Sequence, residues 1–186
     1  AKERLVTHPD KTVAQFKRFM GTSHKILFGN STYTAEELSS FIIRKLVDDA
    51  ETYLGEKVEE VIVSVPAYFN DAQRYATKLA GKFAGVQIDR IINEPSAAAL
   101  AKRSMANQED QSFIVVDFGG GTLDISVVEL FDNIVEIVSI AGDNRLGGED
   151  FTAAIAEEFL ASNQLTKDTI SREFYSKILV QAEKTK

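Results

Sequence analysis

The chain has no cysteine and only two histidines. Without cysteine there are no disulfides, no thiol nucleophile and no thiolate-built zinc site, while the redox compartment stays open. His8 and His24 lie far along the chain from its glycine-rich stretches and read as surface residues rather than bases or ligands. No apolar run approaches the roughly 20 residues of a membrane-spanning helix, and no basic-then-apolar segment opens the chain, so no membrane partner is expected. No run of lysine or arginine is long enough for a nucleic-acid footprint, and 28 acidic against 21 basic residues leave a net charge of −7. Nucleic acid is therefore not an expected partner either. What is present is apolar mass: 44% of 186 residues is hydrophobic, enough to bury the core of one large domain or of two lobes. The chain starts at Ala1 in mid-pattern and stops at Lys186 inside a helical pattern, so it is expected to be an excerpt of a longer protein.

One stretch organises the rest. Phe113 to Asp117 is a β-branched and aromatic run, Gly119, Gly120 and Gly121 follow, then Thr122, and a second strand pattern begins at Leu123. This predicts a hairpin whose tip is bare backbone. Glycine amides can turn the same way and approach a ligand closely, forming a nest suited to phosphate oxygens. Asp117 stands where a carboxylate could hold Mg²⁺ through its waters, and Thr122 adds a hydroxyl. The alternative is a glycine-rich turn with no ligand. Two strands need only two linking residues, so three glycines flanked by Asp and Thr exceed that requirement.

Along the rest of the chain, Thr12 to Met20 is short and amphipathic, with Val13, Phe16 and Phe19 on one face. The Lys17-Arg18 pair reads as solvated surface or, alternatively, as a lysine reaching a phosphate or an attacking water. Residues 22–33 read as an irregular connection. Thr34 with Glu37 forms a capping box for a helix carrying Leu38, Phe41, Ile42, Leu46, Ala50, Tyr53 and Leu54, ending at Gly55. Val58 to Val65 reads as a strand buried on both faces and ended by Pro66. Asn70 and Gln73 cap a helix with Tyr75, Leu79 and Phe83 inward, which stops at Gly85. A strand at Ile88 to Ile92 leads into Asn93-Glu94-Pro95 and an alanine-rich helix. Polar residues from Ser104 to Ser112, among them Asn107, Gln108, Glu109, Asp110 and Gln111, mark a lobe boundary. Leu123 to Leu130 and Ile134 to Ala141 continue a meander, joined by Phe131-Asp132-Asn133. A second glycine-rich loop, Gly142 to Asp150, precedes a helix with Phe151, Ile155, Phe159 and Leu160 inward. Its N-terminus favours anions, although Glu149 and Asp150 satisfy that preference without a ligand. A last helix covers roughly 171–186.

These residues resemble a family. Val65-Pro66-Ala67-Tyr68-Phe69-Asn70-Asp71-Ala72-Gln73-Arg74, Ile92-Asn93-Glu94-Pro95-Ser96-Ala97-Ala98-Ala99, Asp117 to Thr122, and Leu146-Gly147-Gly148-Glu149-Asp150-Phe151 are similar, in order and spacing, to the motifs of DnaK-type seventy-kilodalton heat-shock chaperones. The regions around His8 to Thr12 and Ala141 to Asn144 most resemble the bacterial HscC branch. The resemblance implies an α/β, actin-like or ribonuclease-H-like ATPase fold, with residues 1–106 in lobe I, 107–186 in lobe II and a peripheral subdomain starting after about 163. It implies ATP or ADP with Mg²⁺ as cofactors. Lys17, Glu94, Asp117 and Thr122 match catalytic positions, and Asp117 and Glu94 match carboxylates that hold magnesium through water. Gly119, Gly120, Gly121 and Thr122 match the phosphate hairpin, Gly148 and Glu149 lie near the nucleotide, and Glu183 and Lys186 match residues at ribose and adenine. Pro66 and Arg74 match an interdomain relay, although by themselves they read as a strand terminator and a surface helix residue. Client peptides, a J-domain cochaperone, a nucleotide-exchange factor and a cytoplasmic location follow from the resemblance alone.

Departures from the pattern are Ser96 for threonine, Leu100-Ala101-Lys102-Arg103 for an Ala-Tyr-Gly ending, and Asn144-Arg145 for Thr-His. A first Asp-x-Gly-Thr hairpin, an adenine loop and a peptide-binding domain are not in these 186 residues. The rival readings are a small-molecule kinase on the same scaffold, and a non-catalytic interaction fragment that binds nucleotide poorly.

Overall fold

The computed structural model describes residues 4, 7–105, 111–131 and 134–186. The expected lobe boundary around residue 107 and residues 132 and 133 of the expected link lie outside the described residues, while Phe131 continues the strand before it. Two 3-10 turns, Pro9–Lys11 and Phe16–Phe19, open the described chain. A small antiparallel hairpin follows, β1 (Ile26–Phe28) and β2 (Ser31–Tyr33), where the composition predicts an irregular connection. Its signal is Gly29-Asn30: φ is +62° at Gly29 and not positive at Asn30, the pattern of a two-residue type II′ turn.

The caps predicted from sequence form. Helix α1 (Ala35–Leu54) starts with a capping box in which the Glu37 N–H donates to Thr34 Oγ1 (3.3 Å) and the Thr34 N–H to Glu37 Oε2 (2.7 Å). It ends at Gly55 in the left-handed region. Strands β3 (Glu60–Val65) and β4 (Gln87–Asn93) pair in parallel, and α2 (Asp71–Ala84), capped by Asn70 and Gln73, supplies the crossover that parallel strands require. Helix α3 (Glu94–Met105) starts at the residue after β4, which places Glu94 at a strand-to-helix junction. Strands β5 (Gln111–Phe118), β6 (Leu123–Phe131) and β7 (Ile134–Asp143) then form the predicted antiparallel meander. Helices α4 (Gly148–Ser162) and α5 (Arg172–Thr185) complete the mixed α/β chain.

Three cores set the site. Met20, Ala35, Val65, Phe69 and Ala76 bury together, pinning the Phe16–Phe19 turn to the end of β3 and the start of α2. Ala99 packs with Val128 and Leu130, joining α3 to the meander. Ala156, Leu160, Ile178 and Ala182 join α4 to α5. Burial corrects several sequence expectations. The buried face of α2 consists of Ala76, Thr77, Ala80, Gly81 and Ala84, while Tyr75 and Phe83 are exposed. Close approach explains this: a Cβ on Gly81 would lie 2.5 Å from Ile88 Cγ1. β3 alternates rather than burying both faces, with Ile62 exposed. Phe41, Leu46 and Tyr53 of α1, and Phe151 and Phe159 of α4, are exposed as well. Periodicity identifies an apolar face without saying which element covers it.

Candidate functional site

The β5–β6 hairpin brings two acids together at its tip. Asp117 and Asp124 are directly opposed register partners, so their side chains share one face, where like charges destabilise the pair. Asp117 is exposed, but Asp124 is 6% exposed and its Oδ2 is buried without a hydrogen-bond partner among the described residues. Burial pushes the Asp124 carboxyl above the usual carboxylate range, and Glu94 and Asp117 push it further. The Thr122 hydroxyl and Lys17 pull it back only in part. The neighbouring Tyr68 hydroxyl is likewise buried without a partner at hydrogen-bond geometry among the described residues, and its pKa is pushed up to about 12, first by burial and then by Asp124, against a lowering effect of the Thr122 hydroxyl. Tyr68, Glu94, Asp117, Thr122 and Asp124 therefore act on one another electrostatically. Among the described residues, no group of three or more acids or histidines could hold a metal ion directly.

The glycine strip is anchored along one edge. Gly119 O accepts from the Gly148 N–H (3.0 Å) and Gly120 O from the Glu149 N–H (2.9 Å). Gly121 O accepts twice from the Arg18 guanidinium, from Nε at 2.9 Å and Nη2 at 2.6 Å. In a trans peptide the C=O points opposite to the next N–H. Fixing these three carbonyls therefore turns the amides of Gly120, Gly121 and Thr122 to the other side. Among the described residues none of these three amides donates to a protein acceptor. The tip glycines have no positive φ, and a Cβ at Gly119 or Gly120 would meet protein only at ordinary contact distance. Turn geometry and internal packing therefore do not explain why those two positions are glycine. Gly147 is different, because its Cβ would lie 2.4 Å from Gly120 C, Gly120 O and Gly121 N. The two glycine-rich segments thus touch backbone to backbone.

The Phe16–Phe19 turn reaches both the strip, through Arg18, and Glu94, through Lys17. Lys17 Nζ lies 3.0 Å from Glu94 Oε1 and 6.0 Å from the Phe69 ring centroid. With its side chain 51% exposed, Lys17 keeps the freedom of a mobile point charge. Arg18, one residue on, is 17% exposed and also grips Asp150 (Nη2–Oδ2 2.6 Å, Nη1–Oδ1 3.3 Å). The Arg18 hydrogen bond holds the Asp150 carboxyl below its ordinary acid range. Asp150 in turn accepts the Gly147 N–H at 2.8 Å, and Gln15 Nε2 donates to Glu149 Oε2.

Of the remaining expected residues, Glu183 and Lys186 of the α5 end meet each other at 2.7 Å. Lys186 Nζ also donates to Gly148 O (2.9 Å) and Thr152 Oγ1 (3.1 Å), which places the pair beside the second glycine loop. Pro66 is fully buried. Arg74 is half-buried rather than on the open surface, and it donates to Phe69 O (3.0 Å), Ala67 O (3.3 Å) and Asn93 Oδ1 (2.8 Å). It therefore ties the segment after Pro66 to the residue preceding Glu94. Sequence reading missed Asp124, Arg18 and Thr152. Asp124 was legible as a charged residue in register with the inward positions Ser126, Val128 and Leu130. Arg18 beside Lys17 gave no local sign that only one of the two is solvated.

A sequence model of the family described as "Hsp70 protein" matches residues 24–186, most of the chain. Members of that family are ATPases that bind ATP or ADP with Mg²⁺, and they generally bind client peptides and cochaperones. The chain belongs to the Hsp70 family, whose nucleotide-binding domain has the actin-like, ribonuclease-H-like ATPase fold with part of which this α/β architecture is consistent.

Proposed function

We propose that the protein carrying this chain binds Mg·ATP against the Gly119–Thr122 hairpin, hydrolyses it, and uses that turnover to control its hold on apolar peptide segments. One observation carries the reading: among the described residues, three consecutive amides, those of Gly120, Gly121 and Thr122, have no protein acceptor, on a strip whose carbonyls are anchored behind them. Such a row of N–H groups fits phosphate oxygens. The acids beside it fit magnesium in the same way. Asp117 and the buried Asp124, whose Oδ2 has no hydrogen-bond partner among the described residues, face one another with Glu94 close by, and a hydrated dication would relieve that repulsion without needing a cage of direct ligands. Bound magnesium would neutralise charge on the polyphosphate.

The chain's own groups supply the rest. The strip holds phosphate oxygens in a fixed orientation, and Lys17 brings positive charge against Glu94 at 3.0 Å, where the pair orients an attacking water and Glu94 accepts hydrogen bonds from it. Phosphoryl transfer asks mainly for such positioning and charge placement. Thr122 contributes its hydroxyl beside Asp124. Gly148 and Glu149 border the strip, and Glu183 with Lys186 is assigned to ribose and adenine by resemblance, supported by their contacts to Gly148 and Thr152. Pro66 and Arg74 are assigned to the relay toward a peptide-binding domain, supported by the Arg74–Asn93 link next to Glu94. A DnaK-type protein of the HscC branch, cytoplasmic, with lobes divided near residue 107 and served by a J-domain cochaperone and an exchange factor, completes the proposal.

The test is single-turnover ATP hydrolysis by the protein carrying this chain. Lys17→Ala is expected to slow it by roughly 10²–10³-fold, as for loss of one transition-state charge stabiliser. Undiminished hydrolysis removes Lys17 from the mechanism. Asp117→Asn is expected to weaken Mg·ATP binding or hydrolysis, and equal affinity and rate remove its metal role.

A further inference from the structure

We infer that Arg18 is a positioning residue that makes the phosphate cradle and Lys17 one mechanical unit; this rests on the reading of the hairpin just given. The three strip carbonyls do not share a source of donors. Gly119 O and Gly120 O are held by Gly148 and Glu149, at the start of α4. Gly121 O is held by a side chain 103 residues earlier in sequence. The Gly121–Thr122 peptide is therefore the one whose orientation depends on the Phe16–Phe19 turn. Because that peptide is trans and planar, turning Gly121 O toward Arg18 turns the Thr122 N–H into the cradle. With Arg18 absent, a glycine carbonyl with no side-chain constraint loses both of its donors, and the third cradle amide loses its fixed direction.

The same guanidinium reaches the second glycine segment. Its contacts to Asp150 at 2.6 and 3.3 Å continue through Asp150 to the Gly147 N–H at 2.8 Å. Gly147 is the residue that abuts Gly120 and Gly121 main-chain atoms. Five N–H donors in a planar fork suit this double duty, one edge on a carbonyl and another on a carboxylate. Arg18 also follows Lys17 directly in a four-residue turn. Docking Arg18 on the hairpin therefore fixes the turn from which Lys17 reaches Glu94. A cradle with all three amides aligned thus coincides with Lys17 in place, and undocking the turn disables both.

The experiment compares the affinities of Mg·ADP and of adenosine, which lacks phosphate, in the protein carrying this chain and in its Arg18→Ala and Arg18→Lys variants. Arg18→Ala is expected to weaken Mg·ADP by about tenfold or more, the scale of a lost charge-assisted hydrogen bond, and to leave adenosine within about twofold. Arg18→Lys keeps the charge but not the fork, so it is expected to show the same selective loss. Equal weakening of both ligands means a merely structural role and overturns the inference. Undiminished Mg·ADP affinity in Arg18→Ala, or full recovery in Arg18→Lys, overturns it as well. If the unaltered protein shows no phosphate-dependent affinity, the failure lies with the hairpin reading itself, and the inference falls with it.

Discussion

Gly147→Ala places one methyl group where two main chains already touch. Gly147 has φ −159° and ψ 178°, an extended backbone that alanine adopts without strain, so the effect isolates packing. The new Cβ would lie 2.4 Å from Gly120 C, Gly120 O and Gly121 N, where ordinary contact begins at 3.4 Å, a deficit of 3.4 − 2.4 = 1.0 Å. The opposing atoms are all backbone, so no rotamer change can make room. Opening the gap by that amount stretches Gly148 N–Gly119 O and Glu149 N–Gly120 O, now 3.0 and 2.9 Å, beyond hydrogen-bonding range. Overpacking costs roughly 1–3 kcal/mol and each lost hydrogen bond roughly 0.5–1.5 kcal/mol. A domain of this size loses about 2–4 °C of Tm per kcal/mol, so thermal unfolding should fall by about 4 °C or more. Calorimetric titration should show Mg·ADP affinity weakened by about tenfold, because the strip's carbonyl anchors move. Gly120→Ala is the control, since its Cβ meets only the flexible Glu149 side chain at 3.7 Å, and its Tm should stay within about 2 °C. A Gly147→Ala protein that melts with the unaltered one and binds Mg·ADP equally well would refute the backbone-to-backbone contact.

Further outcomes follow from the same geometry. Asp124 binds its proton more tightly in the folded chain than in the unfolded one, so its contribution favours folding below the ordinary value of 3.8 and is lost as pH rises through the raised folded value. Asp124→Asn should therefore raise Tm at pH 7, with the advantage vanishing as pH falls toward 3.8, while Mg·ATP binding weakens. A lower Tm at pH 7 contradicts this. Thr34→Ala removes the cap of α1 and should cost about 1 kcal/mol in denaturant unfolding, with single-turnover hydrolysis unchanged. Arg74→Ala leaves Asn93 Oδ1 and two carbonyls without their donor. It should cost roughly 1–3 kcal/mol in the same assay.

The legible part of the fold was local. Thr34, Asn70, Gly55 and Gly85 announce helix ends because capping is decided by the chain's immediate neighbours, and the β5–β6 hairpin follows from alternation around a glycine run. Side-chain partners contributed by distant segments were not legible. Nothing near Arg18 indicates a carbonyl 103 residues away, and nothing in the apolar stripe of α1 says that Phe41 and Leu46 stay exposed while Leu38 and Val47 are buried. The site divides in the same way. Gly119 to Thr122 stands out as a run, whereas the opposition of Asp117 and Asp124 requires the strand register. The Gly29-Asn30 hairpin was readable from its turn residues, but strands of three residues leave almost no alternation to detect.

The most direct measurement is a crystal structure of the protein carrying this chain with Mg·ADP bound. Phosphate oxygens are expected within hydrogen-bonding distance of the Gly120, Gly121 and Thr122 amides, with the metal's waters facing Asp117 and Asp124. Phosphates bound elsewhere, with those three amides still unengaged, would contradict the account.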